Sequence, residues 1–549
     1  MKKLIILLFV FLLATNIKAQ LIADTNAGYN QNKPERQEWL RDLGFGMFVH
    51  WSIDSQLGVV ISHSMVGASN DYVNRFIYEL PKTFNPTDFD PYKMAIQAKL
   101  AGMKYVVFTC KHHSGFCMWD TKTTDFNSMN TPYGKDIVKE YVEAVRKAGL
   151  AVGFYYSPED FKFLYDHDII LQRGDGLEKL SDEVDREYRN LIREQTHELF
   201  VNYGGIDVLF IDGGDDGLKN TVKEVAWSLQ PNVVITRGAV NTPEQSLPGI
   251  ADDNLWESCI TMGIQWQYKP TNDNMKSADM LINMLIETRA KGGNLLLNIG
   301  TDPYGRVPDP ETRNLTELAA WNFINHEAIE AVRPWIITHE ENIWFTASKD
   351  RKTVYAIITG IRDWERGKRV EFTIGSIKST PETKISVLGQ NDKVVEYDAN
   401  AKPKSSLIQT KDGLEISVVR AQRIYNNNKW PNPITVKLEN VEPALDPPSV
   451  KTINGKIMNG KLVLEGELVK MSDEKSLKVG FEYRPYAGFG ESLYSKAWSR
   501  SKFIEISELG KYNVELENLN KEATYEFRAV VVHPKMTIYG DVLSTSAGN

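Results

Sequence analysis

The feature that most constrains the fold of this chain is an alternation. Short runs rich in β-branched and aromatic residues occur at "FGMFVHWS" (45–52), "YVVFTCKHH" (105–113), "AVGFYYSP" (151–158), "IDVLFIDGG" (206–214), "VVITRGA" (233–239), "LWESCI" (255–260) and "NLLLNIG" (294–300). Between them lie stretches with helical apolar spacing: Lys93–Ala101, Asp136–Ala148, Leu180–Tyr203, Thr221–Ser228 and Lys276–Ala290. Strand and helix in alternation build βα units around a parallel sheet. Seven strands and one obscure partner predict an irregular (β/α)8 barrel, with a doubly wound sheet as the competing architecture.

The placement of polar residues favours the barrel. Nearly every run is apolar until its C-terminal end and then supplies chemistry: His50 and Trp51, His112 and His113, Tyr155 and Tyr156, Asp212, Arg237, Trp256 and Glu257, and Asn298. In a barrel those ends converge on one face, where the βα loops form the active site. Neighbouring side chains on a strand point to opposite faces, so His112 and His113 can both reach that ring only if the strand has ended before them.

The remainder of the chain changes character. After a helical stretch, Asp309–Glu330, the pattern becomes short alternating strands with turn signals, as in "IWFTASKDRKTVYAIITG" and "GLEISVVRAQRIYN". The division predicted is a catalytic barrel over 20–334, a β-sandwich over 335–442 and a smaller fibronectin type III-like sandwich over 443–549, with "VEPALDPPSV" as the linker. The first nineteen residues, "MKKLIILLFVFLLATNIKA", have a basic start and an apolar run too short to span a bilayer. They read as a cleavable signal peptide, which predicts a secreted or periplasmic protein with no membrane span.

Charge and cysteine content exclude several classes. The formal net charge of −8 becomes −11 once Lys2, Lys3 and Lys18 leave with residues 1–19, a poor balance for binding nucleic acid or anionic membrane. Three cysteines in 549 residues imply no disulfide framework and at least one free thiol. No HExxH or HxH pair suggests a metal centre, no GxSxG suggests a nucleophilic serine, and no phosphate-cradling glycine loop is present. What remains is carboxylates, aromatics and neutral hydrogen-bonding groups, which suit a sugar. Glycoside hydrolysis then needs two carboxyl groups, and Asp212, at the end of an otherwise uncharged "VLFI" run and followed by two glycines, is the strongest candidate.

The segments "FGMFVHW", "KYVVFTCKHHSGFCMWDTKTTDFNSMNTPYGKDIV", "GFYYSPEDF", "DVLFIDGG" and "KGGNLLLNIGTDPYGRVP" resemble glycoside hydrolase family 29, the α-L-fucosidases, in order along residues 35–335. The resemblance implies retaining hydrolysis of a terminal α-L-fucose from a fucosylated glycan, without metal or organic cofactor. It places the nucleophile on Asp212 and fucose-binding groups on His50, His112, His113, Tyr155 and Arg237, with Trp266 as an aromatic lining residue. The family's acid lies on a variable loop between the arginine and the Trp-Glu strand, where Glu244 is the only glutamate. Glu257 is the alternative acid, at a strand end; otherwise it binds substrate or serves structure. Two departures touch the leaving-group side: "GASNDYVNRF", with Asn70 and Asp71, stands in the expected loop after the first strand where many members carry Glu-Trp, and "QWQY" (265–268) where they carry SWGY or SFGY. A hydrolase of a related sugar such as an α-L-galactoside, or a catalytically inactive glycan-binding protein, are the alternative functions.

Overall fold

A computed structural model of the chain describes residues 29–172, 180–271, 273–426, 430–458, 461–486, 488, 497–517, 519–520 and 523–546. The signal-peptide segment, 1–19, lies outside them.

Seven strands form one parallel sheet: β1 (Phe45–His50), β2 (Tyr105–Lys111), β3 (Ala151–Tyr156), β4 (Val208–Ile211), β5 (Val234–Ile235), β6 (Glu257–Thr261) and β7 (Asn294–Gly300). Their order is β5-β4-β3-β2-β1-β7-β6. Both faces of this sheet are buried, which is why the runs read as nearly continuous apolar sequence. Met47, Val106, Phe154, Leu209 and Leu297 pack under the helices, whereas Phe48, Val107, Tyr155, Phe210 and Leu296 form a separate core on the other face. A sheet with a core of its own on the face away from its helices is curled.

The free edge of β6 is covered by the segment that follows β5. Asn241 bridges Trp256 and Glu244 bridges Cys259, both in parallel sense. Glu257 N donates to Asn241 O at 3.1 Å, Cys259 N to Pro243 O at 3.1 Å, and Gln245 N to Cys259 O at 3.0 Å.

The helices show why the connections fold as they do. In Ile137–Ala148 the Asp136 side chain accepts from Lys139 N, Val138, Tyr141, Val142 and Val145 form the buried stripe, and Gly149, at φ 76°, ends the helix in the left-handed region. Such a side-chain cap contributes about 1 kcal/mol.

Beyond the helix Asp309–Asn325, two antiparallel sheets of five and three strands run from Arg333 to Pro443 around Trp335, Phe345, Ile374, Ile416 and Val436. Two more, from Ser449 to Ser546, enclose Leu464, Val479, Phe481, Phe527 and Val531. This last unit touches both others: Tyr539 stacks on His339 at 5.2 Å, and Gly249 N donates to Asp541 Oδ1 at 2.8 Å.

Three sequence expectations are corrected. Half of "VEPALDPPSV" belongs to strands, because Val441 is buried in the sandwich core and Val450 in the next; residues 444–448 connect them. "NDYVNRFIY" is a helix, Asn70–Tyr78, capped by Ser69, with Val73, Phe76 and Ile77 buried. Glu257 is the first residue of its strand instead of standing at the C-terminal end, since the strand runs on through Thr261. A glutamate reads as a strand terminator because burying its charge is costly; here the Tyr105 hydroxyl donates to it inside the sheet.

Candidate active site

The C-terminal ends of β1 to β4, with the segments after β5 and β6, bring one set of side chains together. Asp212 directly follows β4. Its Oδ2 accepts from the Tyr155 hydroxyl at 2.8 Å and its Oδ1 from Arg237 Nη1 at 3.0 Å. The same Nη1 donates to Glu244 Oε2, also at 3.0 Å, so the two carboxylate oxygens lie no farther apart than twice that distance. Arg237 rests over the Phe210 ring, 4.8 Å from its centroid. Burial opposes its charge, but the Glu244 and Asp212 carboxylates outweigh that and hold the guanidinium firmly protonated.

Both adjacent histidines reach the site because β2 stops at Lys111, after a register shift past Thr109. Beyond the strand the alternation rule no longer separates them, and their rings lie 4.1 Å apart. The His113 carbonyl accepts from Phe161 N at 2.7 Å, and the buried pair Lys111–Asp160, at 2.9 Å, ties the end of β2 to the loop after β3. His113 Nδ1 lies 2.6 Å from Ser157 Oγ, and its Nε2 3.7 Å from Asp212 Oδ2. Gly213, at φ 73°, has no room for a side chain: a Cβ there would lie 2.8 Å from His113 Cε1.

His112 stacks parallel to Tyr155 at 5.4 Å. His50, at the end of β1, packs 4.9 Å from Trp266 and 5.2 Å from Tyr155. Asn298 Nδ2 donates to the Trp266 carbonyl at 2.6 Å, which leaves Asn298 Oδ1 to accept from His50 Nδ1 at 2.6 Å. His50 Nε2 is therefore an acceptor. Burial pushes the His50 pKa down to about 4, and burial, helped by His113 and His50, lowers that of His112, so both rings are neutral near pH 7.

The structure thus assembles His50, His112, His113, Tyr155, Asp212, Arg237, Glu244 and Trp266 in one place. Glu257 lies deeper, fully buried against Tyr105, the first residue of β2, and burial lifts its pKa to about 7. Asp71 points to solvent and pairs with Arg75 at 3.0 Å. Potential ligand atoms of His112, His113 and Asp212 lie within 4.8 Å of one another. A cation there would face the Arg237 guanidinium already bonded to Asp212, an unfavourable like-charge contact.

Sequence reasoning missed His63, whose ring lies 5.6 Å from that of His113, and the supports Ser62, Ser157, Glu159 and Asp54. Ser157 and Glu159 were visible in "YYSPED" directly after a strand. Ser62 and Asp54 carry no such local signal.

The family described as α-L-fucosidase matches residues 13–327. The chain belongs to the α-L-fucosidase family. It is a glycoside hydrolase of that family, 27% identical over 406 residues to the α-L-fucosidase of Dictyostelium discoideum, covering 66% of this chain and 86% of that one. Among solved structures, α-L-fucosidase isoenzyme 1 from Paenibacillus thiaminolyticus is 27% identical with a TM-score of 0.59, covering 74% of this chain and 99% of that one. A family 29 α-L-fucosidase from Bacteroides thetaiotaomicron, in a trapped covalent intermediate, shares the fold with a TM-score of 0.60 at 21% identity, over 75% and 98% of the two chains. The three cysteines of this fucosidase-family chain, Cys110, Cys117 and Cys259, are buried free thiols. No helix among the described residues is long and apolar enough to cross a membrane.

Proposed function

We propose that this protein is a retaining exo-α-L-fucosidase in which Asp212 is the nucleophile and Glu244 the general acid and base. The observation that carries the reading is the shared Arg237 nitrogen. Retaining glycosidases hold their two carboxyl groups about 5–5.5 Å apart and inverting ones about 6.5–9.5 Å. Two oxygens each 3.0 Å from one nitrogen lie no farther apart than twice that distance, which supports the shorter spacing over the longer one.

The charge balance is consistent with that chemistry. In the first step Asp212 attacks the anomeric carbon of α-L-fucose, the glycosidic C–O bond breaks, and Glu244 gives its proton to the leaving oxygen. Negative charge leaves Asp212 as the ester forms and appears on Glu244 as it ionises. Arg237 Nη1 touches both groups and therefore faces one net negative charge throughout, with no reorganisation. In the second step Glu244 takes a proton from water, which attacks the same carbon from the opposite side and releases Asp212. Tyr155 holds the second Asp212 oxygen, so the attacking carboxylate is fixed in rotation.

His50, His112 and His113 are read as partners of the sugar hydroxyls, and Trp266 as the wall against its apolar face. Glu257, buried beside Tyr105, serves as a structural group beneath the site. Segment 241–245 counts as the irregular eighth member of a (β/α)8 barrel, followed by a sandwich and a fibronectin type III-like unit. With residues 1–19 as an export signal, the substrate is a fucosylated glycan outside the cytoplasm.

Following the anomer released from an aryl α-L-fucoside by proton NMR tests the reading. Two inversions give α-L-fucose first; β-L-fucose as first product requires a single displacement and removes Asp212 as nucleophile.

A further inference from the structure

One support of the site reaches it from an unexpected direction. Ser62 is a non-glycine residue at φ 56°, a conformation that needs a structural reason. The reason is Asp54, fully buried, whose Oδ2 accepts from Ser62 N at 2.6 Å. So held, the Ser62 hydroxyl oxygen accepts from Ser114 N at 2.8 Å and lies 2.8 Å from His112 Nδ1. Ser62 is itself fully buried, and those are the two partners of its hydroxyl among the described residues. Were His112 Nδ1 protonated, this oxygen would receive two donors and its own proton would have no acceptor. Only a proton running from Ser62 Oγ to His112 Nδ1 uses every group, and leaving a buried donor unused is costly.

We propose that Asp54 and Ser62 are positioning residues that hold His112 as its Nε2–H tautomer, making it a hydrogen-bond donor to a hydroxyl oxygen of the bound sugar. Its neighbour His50 is the opposite case, an Nε2 acceptor fixed by Asn298. The two neutral imidazoles, 5.9 Å apart, thus present one acceptor and one donor. Such a pair recognises vicinal hydroxyls in a defined hydrogen-bonding direction. Gln267, beside Trp266, donates from its side chain to Val59 O at 2.9 Å, which ties the same loop after β1 to the Trp266 segment.

This inference rests on the reading of His112 as a sugar ligand, and the experiment separates the two. Nitrogen NMR of the histidine-labelled, full-length enzyme without substrate reports the tautomer directly: Nδ1 of His112 is expected unprotonated and Nε2 protonated, and the reverse pattern overturns the proposal. Ser62→Gly keeps the left-handed backbone and removes only the hydroxyl, so the fold is retained; the fixed tautomer signature should vanish and kcat/KM should fall about tenfold. Asp54→Asn, which still offers an oxygen to Ser62 N, should stay near wild type, while Asp54→Ala should resemble Ser62→Gly. Unchanged spectra and kinetics in Ser62→Gly sink the proposal. If instead His112→Ala leaves kcat/KM unchanged, it is the sugar-ligand reading that fails.

Discussion

Asp212 and Glu244 hydrogen-bond to the same atom, Nη1 of Arg237, each at 3.0 Å. They come from different structural settings. Asp212 directly follows β4, whereas Glu244 lies on an irregular segment laid beside β6. A single guanidinium therefore sets the spacing of the two carboxyl groups, and that spacing carries the mechanistic reading.

Asp212→Gly should fold as the wild type does and lose at least ~10³-fold in kcat on aryl α-L-fucosides. Azide supplied to this variant should occupy the vacated face and yield β-fucosyl azide. Wild-type turnover, or no azide product alongside a folded protein, would remove Asp212 from the nucleophile role.

Loss of the acid should hurt poor leaving groups most, since a nitrophenolate departs with little protonation. Glu244→Ala is expected to lose far more activity on a fucosylated oligosaccharide than on a nitrophenyl fucoside. Glu257→Gln should lower both substrates together, if at all. The opposite pattern, a selective loss only at Glu257, transfers the acid role to that residue.

Burial raises the Glu257 pKa from 4.5 to about 7, so the folded state binds its proton more tightly than the unfolded chain does. The stability this contributes is complete below the unfolded pKa and is lost as pH rises through about 7, a swing of roughly 3 kcal/mol. Asp54, raised to about 7, and Glu311, raised to about 8, act in the same direction, so the variant must be compared with wild type. Urea unfolding between pH 5 and 8 should show a smaller decline in Glu257→Gln than in wild type; parallel curves would show that Glu257 does not titrate in this range.

The Lys111–Asp160 pair has side-chain exposures of 0% and 5%, so removing one partner strands the other charge. Lys111→Ala should cost about 3–5 kcal/mol. It should also weaken activity, because Asp160 and the neighbouring Phe161 hold the backbone at His113. Chemical denaturation measures the first effect, and a change below about 1 kcal/mol would place the pair among weak surface-like bridges.

The residues that sequence alone singled out share one property: their signal is local. His50, Tyr155 and Asp212 each close an apolar run, and a polar group at the end of a buried strand is visible without knowing what lies opposite. Runs buried on both faces read as continuous apolar stretches, so the parallel sheet was legible too. Family resemblance then added Glu244 and Trp266, which no periodicity marks.

Other features depended on contacts between distant segments. Segment 241–245 has no strand-like composition and is ordered by hydrogen bonds to β6. Glu257 looked like a strand end because its charge is costly inside a sheet, and a hydrogen bond from the Tyr105 hydroxyl helps to make that position tolerable. The proton-sharing roles of His50 and His112 are set by Asn298 and Ser62, one from the adjacent strand β7, far away in sequence, and one from a loop held in a left-handed turn by Asp54. Sequence determined which side chains sit at the ends of strands, since that follows from short-range burial patterns. Tertiary structure decided how far apart the two carboxyl groups stand and which imidazole nitrogen carries a proton, because both depend on partners that the chain brings together only by folding.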